Sequence, residues 1–132
     1  GATACTDITG FGLLGHIVEM TRASGKSVEL DLNFLPILDG ALQMIETGIF
    51  SSLQEQNVRL RRAIREPGQL TEHKHFPLLF DPQTSGGLLA AIPADNAEAC
   101  LTELHELGYP VSVIIGSVID NDHSVESVTL KA

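Results

Sequence analysis

The chain has 132 residues, 43% of them apolar, and a formal net charge of −9. With a mean hydropathy of +0.15 it reads as one globular domain, long enough to bury a core. The acidic balance argues against nucleic acid or an anionic membrane as partner, and no apolar run approaches the roughly 20 residues a membrane-spanning helix needs. No basic stretch followed by an apolar run opens the chain, which predicts no secretory leader. Gly1 in place of a methionine leads us to expect a piece of a longer or processed protein. Cys5 and Cys100 match no metal-ligand spacing. They are expected as reduced thiols of a cytosolic protein, the second one buried.

The first dense stretch is Thr6-Asp7-Ile8-Thr9-Gly10-Phe11-Gly12. A carboxylate sits between two hydroxyls, two glycines follow, and an apolar helical pattern then starts. A helix N-terminus attracts anions, because its first amides are unpaired and the dipole is positive there. A carboxylate at such a place suits a divalent cation standing between it and the anion. Capping of the helix by Asp7 or Thr9 is the commoner outcome for such a stretch.

A helix is predicted over residues 10–24, with Phe11, Leu14, Ile17, Val18 and Thr21 at helical spacing and Gly25 as its stop. His16 is expected as a packed or surface histidine. Residues 28–32 alternate apolar and acidic, as a strand with one wet face does. Pro36 then stands where a helix favours its first residue. Ile37, Leu38, Ala41, Leu42 and Ile45 form the stripe it is expected to bury, and Gly48 ends it.

Residues 51–57 are polar and loop-like. Residues 58–64 suit two helical turns carrying Arg59, Arg61 and Arg62, with Arg65 beside them. A solvated, salt-bridged face is the commoner fate of such a cluster; a basic patch facing phosphates is the functional one. Pro67-Gly68 breaks the chain. His73 and His75 are expected on a surface loop, and Pro77 starts a short turn whose Leu78, Leu79 and Phe80 fill core.

Asp81-Pro82-Gln83-Thr84-Ser85-Gly86-Gly87 is the second dense polar stretch. It leads into residues 86–92, which read as a strand buried on both faces. A tight loop feeding a central strand is sufficient to account for it. The functional reading adds that its hydroxyls and amides face the same pocket as Asp7. A helix is predicted over residues 95–107, with Asp95 and Glu98 at capping-box spacing and Ala97, Cys100, Leu101, Leu104 and Leu107 as its buried stripe. A strand over residues 111–119, a turn at Asp120-Asn121-Asp122-His123 and a last strand over residues 125–130, antiparallel to the one before, complete the chain. The sum is an α+β fold, with helices packed on a mixed, largely antiparallel sheet of about four or more strands.

Two stretches fit one family. Ala4-Cys5-Thr6-Asp7-Ile8-Thr9-Gly10-Phe11-Gly12-Leu13-Leu14-Gly15-His16 resembles the start of the C-terminal domain of selenophosphate synthetase (selenide, water dikinase). Asp81-Pro82-Gln83-Thr84-Ser85-Gly86-Gly87-Leu88-Leu89 resembles that domain's second signature, in the same order, so the resemblance spans essentially the whole chain. It implies a layered α/β/α sandwich like the C-terminal domain of aminoimidazole ribonucleotide synthetase. It also implies that residues 1–132 are a single C-terminal domain whose N-terminal ATP-binding domain lies elsewhere.

The implied reaction converts ATP, selenide and water into selenophosphate, AMP and phosphate, with Mg2+ on the ATP phosphates. Asp7 matches a family carboxylate that helps to bind those metals. Thr6, Thr9, Gly10 and Gly12 carry over as neighbours of the ATP site. Asn57 falls in a segment that resembles a family loop near that site, and Thr84, Ser85, Gly86 and Gly87 match the second motif and are expected at the cofactor, with their exact role there left open. The catalytic Cys or selenocysteine and its Lys belong to the N-terminal domain, and Cys5 does not match that position. The resemblance further implies a cytoplasmic homodimeric enzyme with chiefly N-terminal dimer contacts. The piece itself is then expected to be a monomer or weak dimer without activity of its own. In the purine-pathway relative, His typically stands at the position of Asp7 and Gly at that of Phe11, so both residues favour the selenium enzyme over another synthetase of the superfamily. A non-catalytic domain that packs on or regulates a partner is the alternative of a different class.

Overall fold

The computed structural model describes residues 1–122 and 124–132; His123, the last residue of the expected turn, lies outside the described residues. Strands β1 (Ala4–Asp7), β2 (Lys26–Asp31), β3 (Ile64–Arg65), β4 (Leu88–Ala91), β5 (Gly116–Asp120) and β6 (Val128–Lys131) alternate with helices α1 (Gly12–Ser24), α2 (Ala41–Glu46), α3 (Gln54–Asn57) and α4 (Ala94–Glu106). Short 3-10 turns occupy Leu32–Phe34, Val58–Ala63, Gly68–Glu72 and Phe76–Phe80. None of the described helices is long and apolar enough to cross a membrane.

The strands form a four-stranded mixed sheet in the order β3-β6-β2-β5 and a separate ribbon, β1-β4. In the sheet β2 runs antiparallel to β5 and parallel to β6, and β3 runs parallel to β6. Register decides which face is buried. Val28 pairs with Val128, Leu30 with Leu130, and Ile64 with Val128. These side chains share one face with period two and join Leu14, Ile17 and Val18 of α1 in the core. Leu79 and Phe80 close that core from the turn Phe76–Phe80. The alternate positions are polar, and Lys131 reaches Glu29 across β6 and β2 at 2.7 Å. The alternating pattern of residues 28–32 therefore has the meaning expected of it. The α+β class with a mixed sheet is what the chain adopts.

Several local expectations differ. The last two strands do run in opposite directions, but β2 lies between them, so they form no hairpin. The helix expected after Pro36 begins only at Ala41 and buries no residue, because Gly40 at φ 83° turns the chain first. Residues 88–91 are not a doubly buried strand: β4 has β1 as its only neighbour among the described strands, and Leu88 is exposed. The segment 111–115 stays outside β5, which starts at Gly116. Helix α4 starts at Ala94 after Pro93, without a side-chain cap, so Asp95 and Glu98 form no capping box. No residue of α4 is fully buried, and Cys100 is half-buried. His75 is buried rather than superficial, its Nδ1–H donating to Leu32 O at 2.7 Å.

Candidate functional site

Asp7 is the last residue of β1 and pairs with Leu88, the first of β4. The two polar stretches singled out in the sequence therefore leave the same end of one ribbon. They are also sewn together by main-chain bonds. Ile8 N donates to Gly87 O at 2.9 Å, and Gln83 N to Thr9 O at 3.1 Å.

Two glycines let the backbones meet. A Cβ on Gly12, at φ 70°, would lie 2.9 Å from the Phe80 carbonyl carbon and 3.0 Å from Leu79 O. A Cβ on Gly86 would collide with Ile8 O. Only a residue without a side chain fits either place. Ser85 holds φ 55° in the same loop, a conformation uncommon outside glycine.

Helix α1 begins at Gly12, with Phe11 as its N-cap residue and no side-chain cap bond. Neither Asp7 nor Thr9 caps it. The Asp7 carboxylate is exposed, and no ion pair among the described residues involves it. Thr6 Oγ1 donates to the Asp7 carbonyl at 3.1 Å. Thr9 turns inward instead: its N–H and its Oγ1 each lie 3.0 Å from His16 Nε2. Thr84, Ser85 and Gly87 are exposed, whereas Gly10 and Gly86 are half-buried.

Asn57 is 6% exposed, and its side-chain amide donates to Gly10 O at 2.8 Å and to Phe80 O at 3.0 Å. Both acceptors belong to the backbone of the two motif regions, so α3 clasps them from below. Asn57 thus joins the site as its fastener, with its amide hydrogens spent on the protein itself.

Two residues of the motif stretches had no site role assigned from the sequence, His16 being expected only as a packed or surface histidine. His16 is buried. Asp81 accepts from Gln83 Nε2 at 3.1 Å, and burial holds its carboxyl above the ordinary aspartate range although that hydrogen bond opposes the shift. Among the described residues no group of three or more His, Cys, Asp or Glu is placed to hold a metal. The arginines disperse. Arg61 stacks over Phe76 at 5.9 Å, Arg65 pairs with Asp122 at 2.7 Å, and Arg62 lines a shallow hollow of about 370 Å³ with Arg22 and Glu126.

A mixed sheet covered by α1, with two interlocked loops at the end of a ribbon, defines a domain class. The chain belongs to the AIR synthase related protein, C-terminal domain family, which it matches over residues 1–129. Within that class it is similar to proteins named selenide, water dikinase. That of Clostridioides difficile (strain 630) is 39% identical over 115 residues, covering 86% of this chain and 33% of the relative. That of Porphyromonas gingivalis (strain ATCC 33277) is 37% identical over 129 residues, 97% of this chain and 36% of the relative. That of Caldanaerobacter subterraneus subsp. tengcongensis is 36% identical over 118 residues, 89% and 34% respectively. The chain spans about a third of the length of the curated relatives it matches.

Proposed function

We propose that this chain is the C-terminal, metal-binding and site-closing domain of a selenide, water dikinase, which turns ATP, selenide and water into selenophosphate, AMP and phosphate. The observation that carries the reading is the exposed Asp7 carboxylate at the point where the two motif loops interlock.

The donor set fits a nucleotide-bound Mg2+ and not a protein-caged metal. Mg2+ on ATP takes only one or two carboxylates besides phosphates and waters, and among the described residues Asp7 stands in no cluster of three or more His, Cys, Asp or Glu. When bound, the ion neutralises charge that builds on the departing phosphate oxygens. Asp7 would hold it, and the loop of Thr6, Thr9, Gly10 and Gly12 would hold Asp7. The loop of Thr84, Ser85, Gly86 and Gly87, exposed except at Gly86, would offer amides and hydroxyls to phosphate oxygens. Leu88, paired with Asp7, is 77% exposed, and Phe11, at the start of α1, is 64% exposed. Large apolar side chains beside a polar loop suit a face that another domain covers. The partner would be an N-terminal ATP-binding domain of the same polypeptide, and closure of the two would exclude water from the reaction. We place the whole enzyme in the cytoplasm as a homodimer.

The test is Asp7→Asn in the full-length protein. ATP turnover should fall by about a hundredfold or more, the scale of losing one electrostatic stabiliser of a transition state, and the magnesium requirement should rise. Near-normal turnover at limiting magnesium would overturn the assignment. The 132-residue chain by itself should release no phosphate from ATP above background.

A further inference from the structure

His16 is a buried polar group, beside the motif loops, that the proposed chemistry leaves unused. It stands on α1, 5% exposed, with the Phe11 ring tilted against it at 6.0 Å. Its Nε2 lies 3.0 Å from the Thr9 backbone nitrogen. A backbone N–H only donates, so Nε2 accepts and carries no proton, and the neutral ring holds its proton on Nδ1. Nδ1 is buried without a hydrogen-bond partner among the described residues. The Glu19 carboxylate, 3.9 Å away, is beyond hydrogen-bond reach. A buried donor left unpaired is costly, and a leucine would fill the same space without that cost. What the position requires is therefore the acceptor on the other nitrogen. The Thr9 carbonyl is meanwhile held by Gly12 N at 3.0 Å and Gln83 N at 3.1 Å. His16 supplies the remaining restraint on a residue two places from Asp7.

We propose that His16 is a positioning residue of the Asp7-bearing loop: through Nε2 it fixes the Thr9 backbone, and so sets where the Asp7 carboxylate stands. The structural part rests on the His16–Thr9 bond alone; the consequence for metal binding rests on the function proposed above.

Nitrogen NMR of the imidazole in the unmodified chain, at a pH of about 8 where histidine is ordinarily neutral, should show the Nδ1-protonated tautomer. An Nε2-protonated ring overturns the proposal. Hydrogen exchange at the Thr9 amide should quicken about tenfold in His16→Phe, the scale of one lost hydrogen bond, while Val18 in the same helix is unchanged. His16→Gln, whose Oε1 reaches the place of Nε2, should restore the protection. His16→Asn, which reaches only as far as Nδ1, should not. Equal Thr9 exchange in His16→Phe and the unmodified chain overturns the proposal. In the full-length protein His16→Phe should raise the Mg2+ concentration for half-maximal ATP turnover and His16→Gln should return it. If Asp7→Asn raises that concentration and His16→Phe does not, the link to the metal is overturned. If Asp7→Asn leaves it unchanged while the tautomer and Thr9 protection hold, the metal reading fails and the positioning of Thr9 stands.

Discussion

Gly12 and Gly25 have nearly the same backbone angle, φ 70° and 66°, but different surroundings. A Cβ at Gly25 meets nothing within 4 Å, whereas at Gly12 it would press on the backbone of Leu79 and Phe80. Alanine at either place takes the left-handed penalty of about 1–2 kcal/mol. Gly12→Ala adds overpacking of about 1–3 kcal/mol. Urea unfolding should therefore show Gly12→Ala as the less stable variant; equal midpoints would contradict the close approach of the two loops. Asp81 gives a pH dependence. Burial raises its folded pKa above the unfolded value, so its charged form costs stability above that folded pKa. The cost is relieved as pH falls through the folded pKa toward the ordinary aspartate range near 4. Asp81→Asn should raise the urea midpoint at neutral pH, with a gain that shrinks on acidification. A gain that grows as pH falls would reverse the sign. The stretch that holds Asp7 and Gly12 stands out in the sequence because it is contiguous and chemically dense. His16 and Asp81 lie in the two motif stretches as well, but what shields each from water was not legible, since burial depends on segments distant in sequence.

At the scale of elements, one turn of helix ties the two motif loops. Asn57→Ala would strip Gly10 O and Phe80 O of their side-chain donor. The expected loss is about 2–3 kcal/mol for two buried bonds, read from the urea midpoint. Asn57→Asp should also lose stability, because a carboxylate has no hydrogen to donate. A loss below about 0.5 kcal/mol in Asn57→Ala would show that the clasp is dispensable. Helix α1 was readable from its spacing and its glycine stop, because both signals are local. The helix placed after Pro36 was not, because an apolar stripe does not tell whether anything lies opposite it. The same holds for α4, whose stripe is amphipathic and only half covered.

At the scale of the molecule, burial is uneven. Six residues of α1 are buried and none of α4. Local opening follows the amount of packed surface, so amides of α4 should exchange with solvent faster than those of α1 although both helices have 13 residues. Equal protection in the two would contradict the one-sided core. That core is built where α1 meets β2 and β6, and it leaves the β1-β4 ribbon and its loops at the margin.

The amino-acid sequence by itself determined the class, the two polar loops, the helix read over residues 10–24, which forms from Gly12, and the wet-and-dry alternation of β2. Each of these is written in neighbouring residues, through periodicity, turn chemistry or a run of small and polar side chains. Only the tertiary structure decided that β2 separates β5 from β6, that β1 and β4 pair apart from the sheet, and that His16 and Asn57 serve the loops. Strand pairing and the burial of a polar group are made by residues far apart in the chain, and no local pattern records which partner each will find.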